Sequence, residues 1–123
     1  MNIAEDELMV SVFSKDCPSR QVLMDISGRW GVLVLAALSQ GKCRFNVLRR
    51  RIDGISEKML SQTLLALRRD GLVDRFVENA VPPRVTYSLS PLGIAVAEKV
   101  NALITLLETE VPAFEKAWDD FER

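Results

Sequence analysis

The sequence predicts a mainly α domain with a small β-hairpin wing, in the order of a winged helix-turn-helix. Three observations predict it, all within residues 56–93. An amphipathic helix with a polar leading face runs from Ser56 to Asp70 and stops at Gly71. Two short β-patterned runs follow, Leu72 to Glu78 and Arg84 to Leu89, joined across Pro82-Pro83. A new helix then opens at Ser90-Pro91, since proline is favoured in a first helical turn.

Taken in order, residues 1–16 are weakly patterned and read as an N-terminal arm or a short helix. Cys17-Pro18-Ser19 has the chemistry of a helix start, and that helix should reach about Ile26 before Gly28 interrupts. From Arg29 to Ser39, Trp30, Leu33, Val34, Ala37 and Leu38 recur at spacings of three and four, which predicts a helix packed into the core. Gln40-Gly41 ends it. A short helix from Arg44 to Arg51 should turn Phe45, Leu48 and Ile52 inward and its arginines outward. Asp53-Gly54 is turn chemistry, and Ser56 caps the next helix with Glu57 in its first turn. Leu60, Leu64 and Leu67 form the inner stripe of that helix. In the wing, Val85, Tyr87 and Leu89 alternate with polar residues as in a half-buried strand. The last helical pattern carries a wide apolar stripe through Val96, Val100, Leu103, Leu107, Val111, Phe114, Trp118 and Phe121, and Pro112 should kink or split it. One small domain has little core to cover such a stripe, so it suggests a homodimer; an intramolecular fold-back is the alternative. The whole chain, 1–123, reads as one domain: arm 1–16, core 17–93, and C-terminal dimerisation helices 94–123.

Hydrophobic residues make up 48% and charged residues 27% of the chain, the balance of an ordered globular protein. No apolar run approaches the ~20 residues of a membrane span, which argues against a membrane partner. The acidic start (Glu5, Asp6, Glu7) does not resemble a signal peptide, so a cytoplasmic location is expected, with the two cysteines reduced. Net charge is −1, but it is unevenly spread. Residues 42–84 hold ten basic and five acidic side chains, a surplus of five, between acidic ends. A basic middle of this kind is the electrostatic footprint of a DNA-binding module. Without histidine the chain has no Ser/His, Cys/His or His-metal arrangement, and it has no glycine-rich phosphate loop. An enzyme is therefore not expected, nor a cofactor or metal.

A helix fits the major groove, where base edges present a full donor and acceptor code. The side chains placed to reach them are Ser56, Lys58, Ser61 and Gln62, on the first turns of the capped helix. Gln62 can pair with adenine, and Lys58 can donate to guanine or phosphate. Arg44, Arg49, Arg50 and Arg69 suit phosphates, and Arg84 lies by the hairpin tip. Cys17, at a helix N-terminus, feels the positive end of the dipole, which favours the thiolate; Lys15 and Arg20 would help and Asp16 oppose. The alternative is a small buried apolar residue, the common fate of free cysteine; Cys43 is a weaker sensor candidate than Cys17.

These residues together resemble the HxlR-type (MarR-like) winged helix-turn-helix transcriptional regulators. The resemblance covers roughly residues 17–107. It runs through Cys17-Pro18, Gly28-Arg29-Trp30, Arg44-Phe45, Leu48-Arg49-Arg50, Gly54-Ile55-Ser56, Lys58-Met59-Leu60, Asp70-Gly71-Leu72-Val73, Val81-Pro82-Pro83-Arg84-Val85, Tyr87-Ser88-Leu89 and Leu92-Gly93. It implies a homodimeric repressor or activator on a palindromic, inverted-repeat operator, dimerised through its N- and C-terminal helices. In several members the cysteine at the position of Cys17 senses oxidants or electrophiles. The chain departs from the pattern at Lys42-Cys43, where the family usually has Gly-Pro, at Leu65, commonly basic, and at Glu78-Asn79 near the wing tip. Two other functions stay open: a winged-helix module that binds protein and not DNA, and a regulator with a small-molecule effector in its dimer interface.

Overall fold

The computed structural model describes residues 11–123. Most of the expected N-terminal arm lies outside these residues; 11–16 form turns leading to Cys17. Cys17 is the N-cap of α1 (Pro18–Ser27), with Pro18 in the first turn as the sequence predicts. The next helix, α2 (Gly31–Ser39), starts two residues later than expected, with Trp30 as its N-cap. Val34, Leu35 and Leu38 are buried in it, but Leu33, expected inside, is 43% exposed. The physical reason is that α2 is apolar all round, so spacing alone cannot choose which side faces the core.

Two residues, β1 (Cys43–Arg44), then pair with the wing before α3 (Phe45–Arg51) begins. The expected helix start at Arg44 is thus corrected: Arg44 is extended and serves as N-cap. Ile52 and Ile55 are buried across the turn, and α4 (Glu57–Arg69) follows. Leu60, Leu64 and Leu67 of α4 are buried, as their spacing requires, and join Leu35 and Leu48 in the core. Each fully buried leucine stabilises the fold by about 1.5–3 kcal/mol.

The end of α4 is closed by Gly71, whose φ of 77° is open to glycine and strained for other residues. Its amide donates to Arg68 O at 3.0 Å and the amide of Leu72 to Leu67 O at 2.9 Å, the paired bonds of a Schellman cap. The strands β2 (Val73–Glu78) and β3 (Arg84–Leu89) are antiparallel, from Val73 opposite Leu89 to Glu78 opposite Arg84. The expected hairpin wing is present, and β1 extends it to a three-stranded sheet in the order β1-β3-β2. With a neighbour on each side, β3 is half-buried at every residue from Val85 to Leu89, which replaces the expected alternation.

Ser90 caps α5 (Pro91–Thr109), accepting from the Gly93 amide at 3.0 Å while its hydroxyl donates to Gly71 O at 2.6 Å. Ala97 and Val100 are buried as α5 packs on α2, so the boundary drawn at residue 93 falls inside a helix that belongs partly to the core. Helix α6 (Val111–Glu122) follows after a break at Glu110, with Pro112 in its first turn. Proline is tolerated there, which is how Pro112 splits the long pattern without an unsatisfied bond. Every residue of α6 is exposed, with Trp118 64% and Phe121 90% open. The fold-back alternative therefore does not occur. No helix among the described residues is long and apolar enough to cross a membrane.

Candidate nucleic-acid interface

The candidate surface is built on α4. Ser56 Oγ accepts from the Met59 amide at 3.1 Å, satisfying one of the orphan donors of the first turn. With Leu60, Leu64 and Leu67 sunk in the core, the helical period turns Lys58, Ser61, Gln62 and Leu65 outward, and all four are exposed. The cap and first two turns of one helix thus bring together Ser56, Lys58, Ser61 and Gln62, the four side chains expected to read bases. Leu65, 62% exposed, adds an apolar spot on that face.

The arginines are placed less uniformly. Arg44, at the mouth of α3, and Arg50, in its last turn, are exposed and free of ion pairs among the described residues. Arg49 instead binds Glu57 Oε1 at 2.8 Å, bridging α3 to the start of α4. Arg69 turns away from the outer face to Asp25 on α1, at 3.3 Å. Arg84 faces Glu78 in the strand register at the wing tip, where the two charges offset each other. Arg68 and Arg75, which the sequence does not single out, line one crevice with Leu65, Arg69, Val73 and Asp74. Their signal was only membership of the basic run. Nor does the sequence single out the exposed Phe76, Val77 and Val81 of the wing.

Asp25 and Asp70 meet where α1 crosses the end of α4. Asp25 accepts from Gln21 Nε2 at 3.1 Å and from Arg69. Burial, then the Asp25 carboxylate, pushes Asp70 up to about 6, against a smaller pull downward from Arg69. Asp70 Oδ2 is buried without a hydrogen-bond partner.

The two thiols differ. Cys17 is buried, in line with the alternative reading of a free cysteine, with Sγ 2.9 Å from Ser19 Oγ. That hydroxyl is the largest cause holding the thiol below its ordinary value, ahead of the amides of Ser19 and Arg20; burial works against them. The amides are the helix N-terminus at work, as expected. The charges of Lys15 and Arg20 are not the cause, and Arg20 points its guanidinium toward Phe13 O. Cys43 lies in the sheet opposite Tyr87, and burial pushes its thiol up although Arg51 opposes. Between α2, α5 and the end of α3 an open groove of about 790 Å³ has Leu33, Ile52 and Ile104 in its walls and Arg51, Asn101 and Glu108 at its rim.

Residues 25–114 match the family described as HxlR-like helix-turn-helix. The chain is 52% identical over 102 residues to YtfH of Escherichia coli (strain K12), described as an uncharacterized HTH-type transcriptional regulator; the match covers 83% of this chain and 81% of that protein. It is similar in fold to the solved structure of the transcriptional regulator ytfH from Salmonella typhimurium, with a TM-score of 0.81 and 47% identity over 92% of this chain and 98% of that one. The redox regulator HypR in its oxidized form is also similar, with a TM-score of 0.70 and 35% identity over 76% of this chain and 96% of that one.

Proposed function

The chain belongs to the HxlR-like helix-turn-helix family and is a transcriptional regulator, not an enzyme; from that premise we propose that it binds duplex DNA as a homodimer on an inverted-repeat operator. One observation carries the reading: α4 buries its leucine stripe and presents Ser56, Lys58, Ser61 and Gln62 from its capped N-terminal turns. Arg44 and Arg50 suit the flanking phosphates, whereas Arg49 and Arg69 are held in ion pairs that brace α4 against α3 and α1. The wing brings little net charge at Arg84, so sequence reading falls on α4. The uncovered apolar faces of α5 and α6 supply the surface for the second copy. Such a regulator acts in the cytoplasm, where the operator is.

In vitro selection of duplexes identifies the operator, and gel shifts then test the roles. Lys58→Ala and Gln62→Ala should lose preference for the operator over a scrambled duplex by about 1–3 kcal/mol each, whereas Arg50→Ala should weaken both duplexes alike. Full discrimination in the Lys58→Ala/Gln62→Ala double variant would refute the assignment of α4. Failure of unlabelled duplex to compete at low salt would favour the protein-binding module instead.

Cys17 gives this regulator a redox input. Two Cys17 thiols of a dimer would form a disulfide, surrendering two electrons and two protons to an oxidant such as diamide, which is reduced to its hydrazine, and the half-site spacing would change. The lowered thiol and the likeness to HypR, a redox regulator, support this reading. Diamide should alter operator affinity of the wild type and not of Cys17→Ser; unchanged binding by oxidised wild type removes the idea. The groove beside Leu33 and Ile104 is where a small-molecule effector would fit instead.

A further inference from the structure

We infer that Arg29, on the corner between α1 and α2, is a further contact to the DNA backbone, aligned on its neighbour Trp30 beside the reading face of α4. The inference rests on the DNA-binding reading above and extends it to an element outside the helix-turn-helix.

Four observations carry it. The guanidinium carbon of Arg29 lies 5.1 Å from the centre of the Trp30 ring, and the side chain is exposed. Stacking on an aromatic face leaves the N–H edges of a guanidinium in its own plane, free to donate to phosphate oxygens. Trp30 in turn reaches the turn of the helix-turn-helix: the far edge of its ring is 3.8 Å from where a Cβ on Gly54 would sit. Arg29, Trp30, Met59 and Gln62 border one crevice of about 240 Å³, so the cation flanks the side of α4 on which Gln62 stands.

The corner is also stiff. A Cβ on Gly31 would overlap the carbonyl oxygens of Asp25 and Ile26, so α2 starts hard against the backbone of α1. Among the described residues Arg29 has no ion pair; Asp25, which borders the same crevice, binds Arg69 and Gln21 instead. A helix lying in the major groove has a phosphate row on each side of it. A charge that is held beside such a helix, and not neutralised within the fold, fits one of those rows.

The test is fluorescence anisotropy of a labelled mixed-sequence duplex titrated over a salt series, with the full chain as wild type, Arg29→Ala, Arg29→Gln and Arg29→Lys. Thermal unfolding is read alongside. One phosphate contact contributes about 0.9 to the slope of log K against log salt. Both neutral variants should lose about that much per bound protomer, or about eightfold in affinity near ~0.1 M salt, and Arg29→Lys should keep the slope. Preference among sequences should not change. Neutral variants that keep the wild-type slope overturn the inference, whether or not their melting temperature falls; a lower melting temperature alone would make the stack a brace for the corner. Loss of sequence preference with the slope intact overturns it as well. A wild type that binds no duplex at low salt refutes the DNA-binding reading itself, which separates the two failures.

Discussion

Replacing Asp70 by asparagine should stabilise the protein at neutral pH and do progressively less as pH falls. Asp70 ends α4 with one carboxylate oxygen buried and unpartnered, beside the Asp25 carboxylate. Its pKa rises from 3.8 to about 6. Below the unfolded value both states hold the proton and nothing is lost. Between the two values the folded state keeps a proton that the unfolded chain has released, so stability drops as pH rises; above about 6 the whole penalty is present. A rise of about two units corresponds to a ceiling of ~3 kcal/mol. Water reaches the half-buried Asp70, and screening reduces this to about 1–2 kcal/mol. Asparagine is neutral and can donate to Asp25, so the penalty disappears. Urea unfolding followed by tryptophan fluorescence, at one protomer concentration, should show the variant more stable by about 1–2 kcal/mol at pH 8 and by roughly half of that at pH 5. A gap independent of pH, or a variant less stable at pH 8, would refute the reasoning.

Ser56→Ala should cost about 1 kcal/mol of unfolding free energy by removing the cap on α4, measured by urea denaturation, with Ser56→Gly costing only a few tenths. Cys17 should react with a thiol-specific disulfide reagent at lower pH than Cys43, and Ser19→Ala should shift the Cys17 profile upward; coincident profiles for the two thiols would contradict the role of the Ser19 hydroxyl. Trp118→Ser with Phe121→Ser should move the protein from dimer toward monomer in sedimentation, and an unchanged dimer would show that α6 is not the seam.

The capped helix α4 was legible because each of its signals is local: a serine cap, three leucines on one stripe and a glycine stop. What escaped depended on distant partners. The strand β1 is two residues long, too short to show alternation, and its partners Tyr87 and Thr86 lie beyond the whole helix-turn-helix. Helix α2 is apolar on every side, so only α5 packing against it decides that Leu33 stays open. In the candidate interface, helical spacing correctly turned Lys58, Ser61 and Gln62 outward. It could not show that Arg69 would find Asp25 or Arg49 find Glu57, because those pairs join separate helices. The environment of Cys17 was half legible. The helix N-terminus could be read from Pro18, but the hydroxyl of Ser19, and not the charges of Lys15 and Arg20, does most to lower the thiol.

The bond from Ser90 to Gly71 O, reinforced by the Ser90 amide on Leu72 O at 3.0 Å, ties together the two ends of the wing where they leave the core. The hairpin is thereby divided into a closed base and an open tip over residues 79–83. Changes of length or charge at the tip leave the register below it intact, because that register is sealed at the other end. The tip can therefore be remodelled without reworking the domain. The same scaffold can present a different tip while α4 stays seated in the same socket.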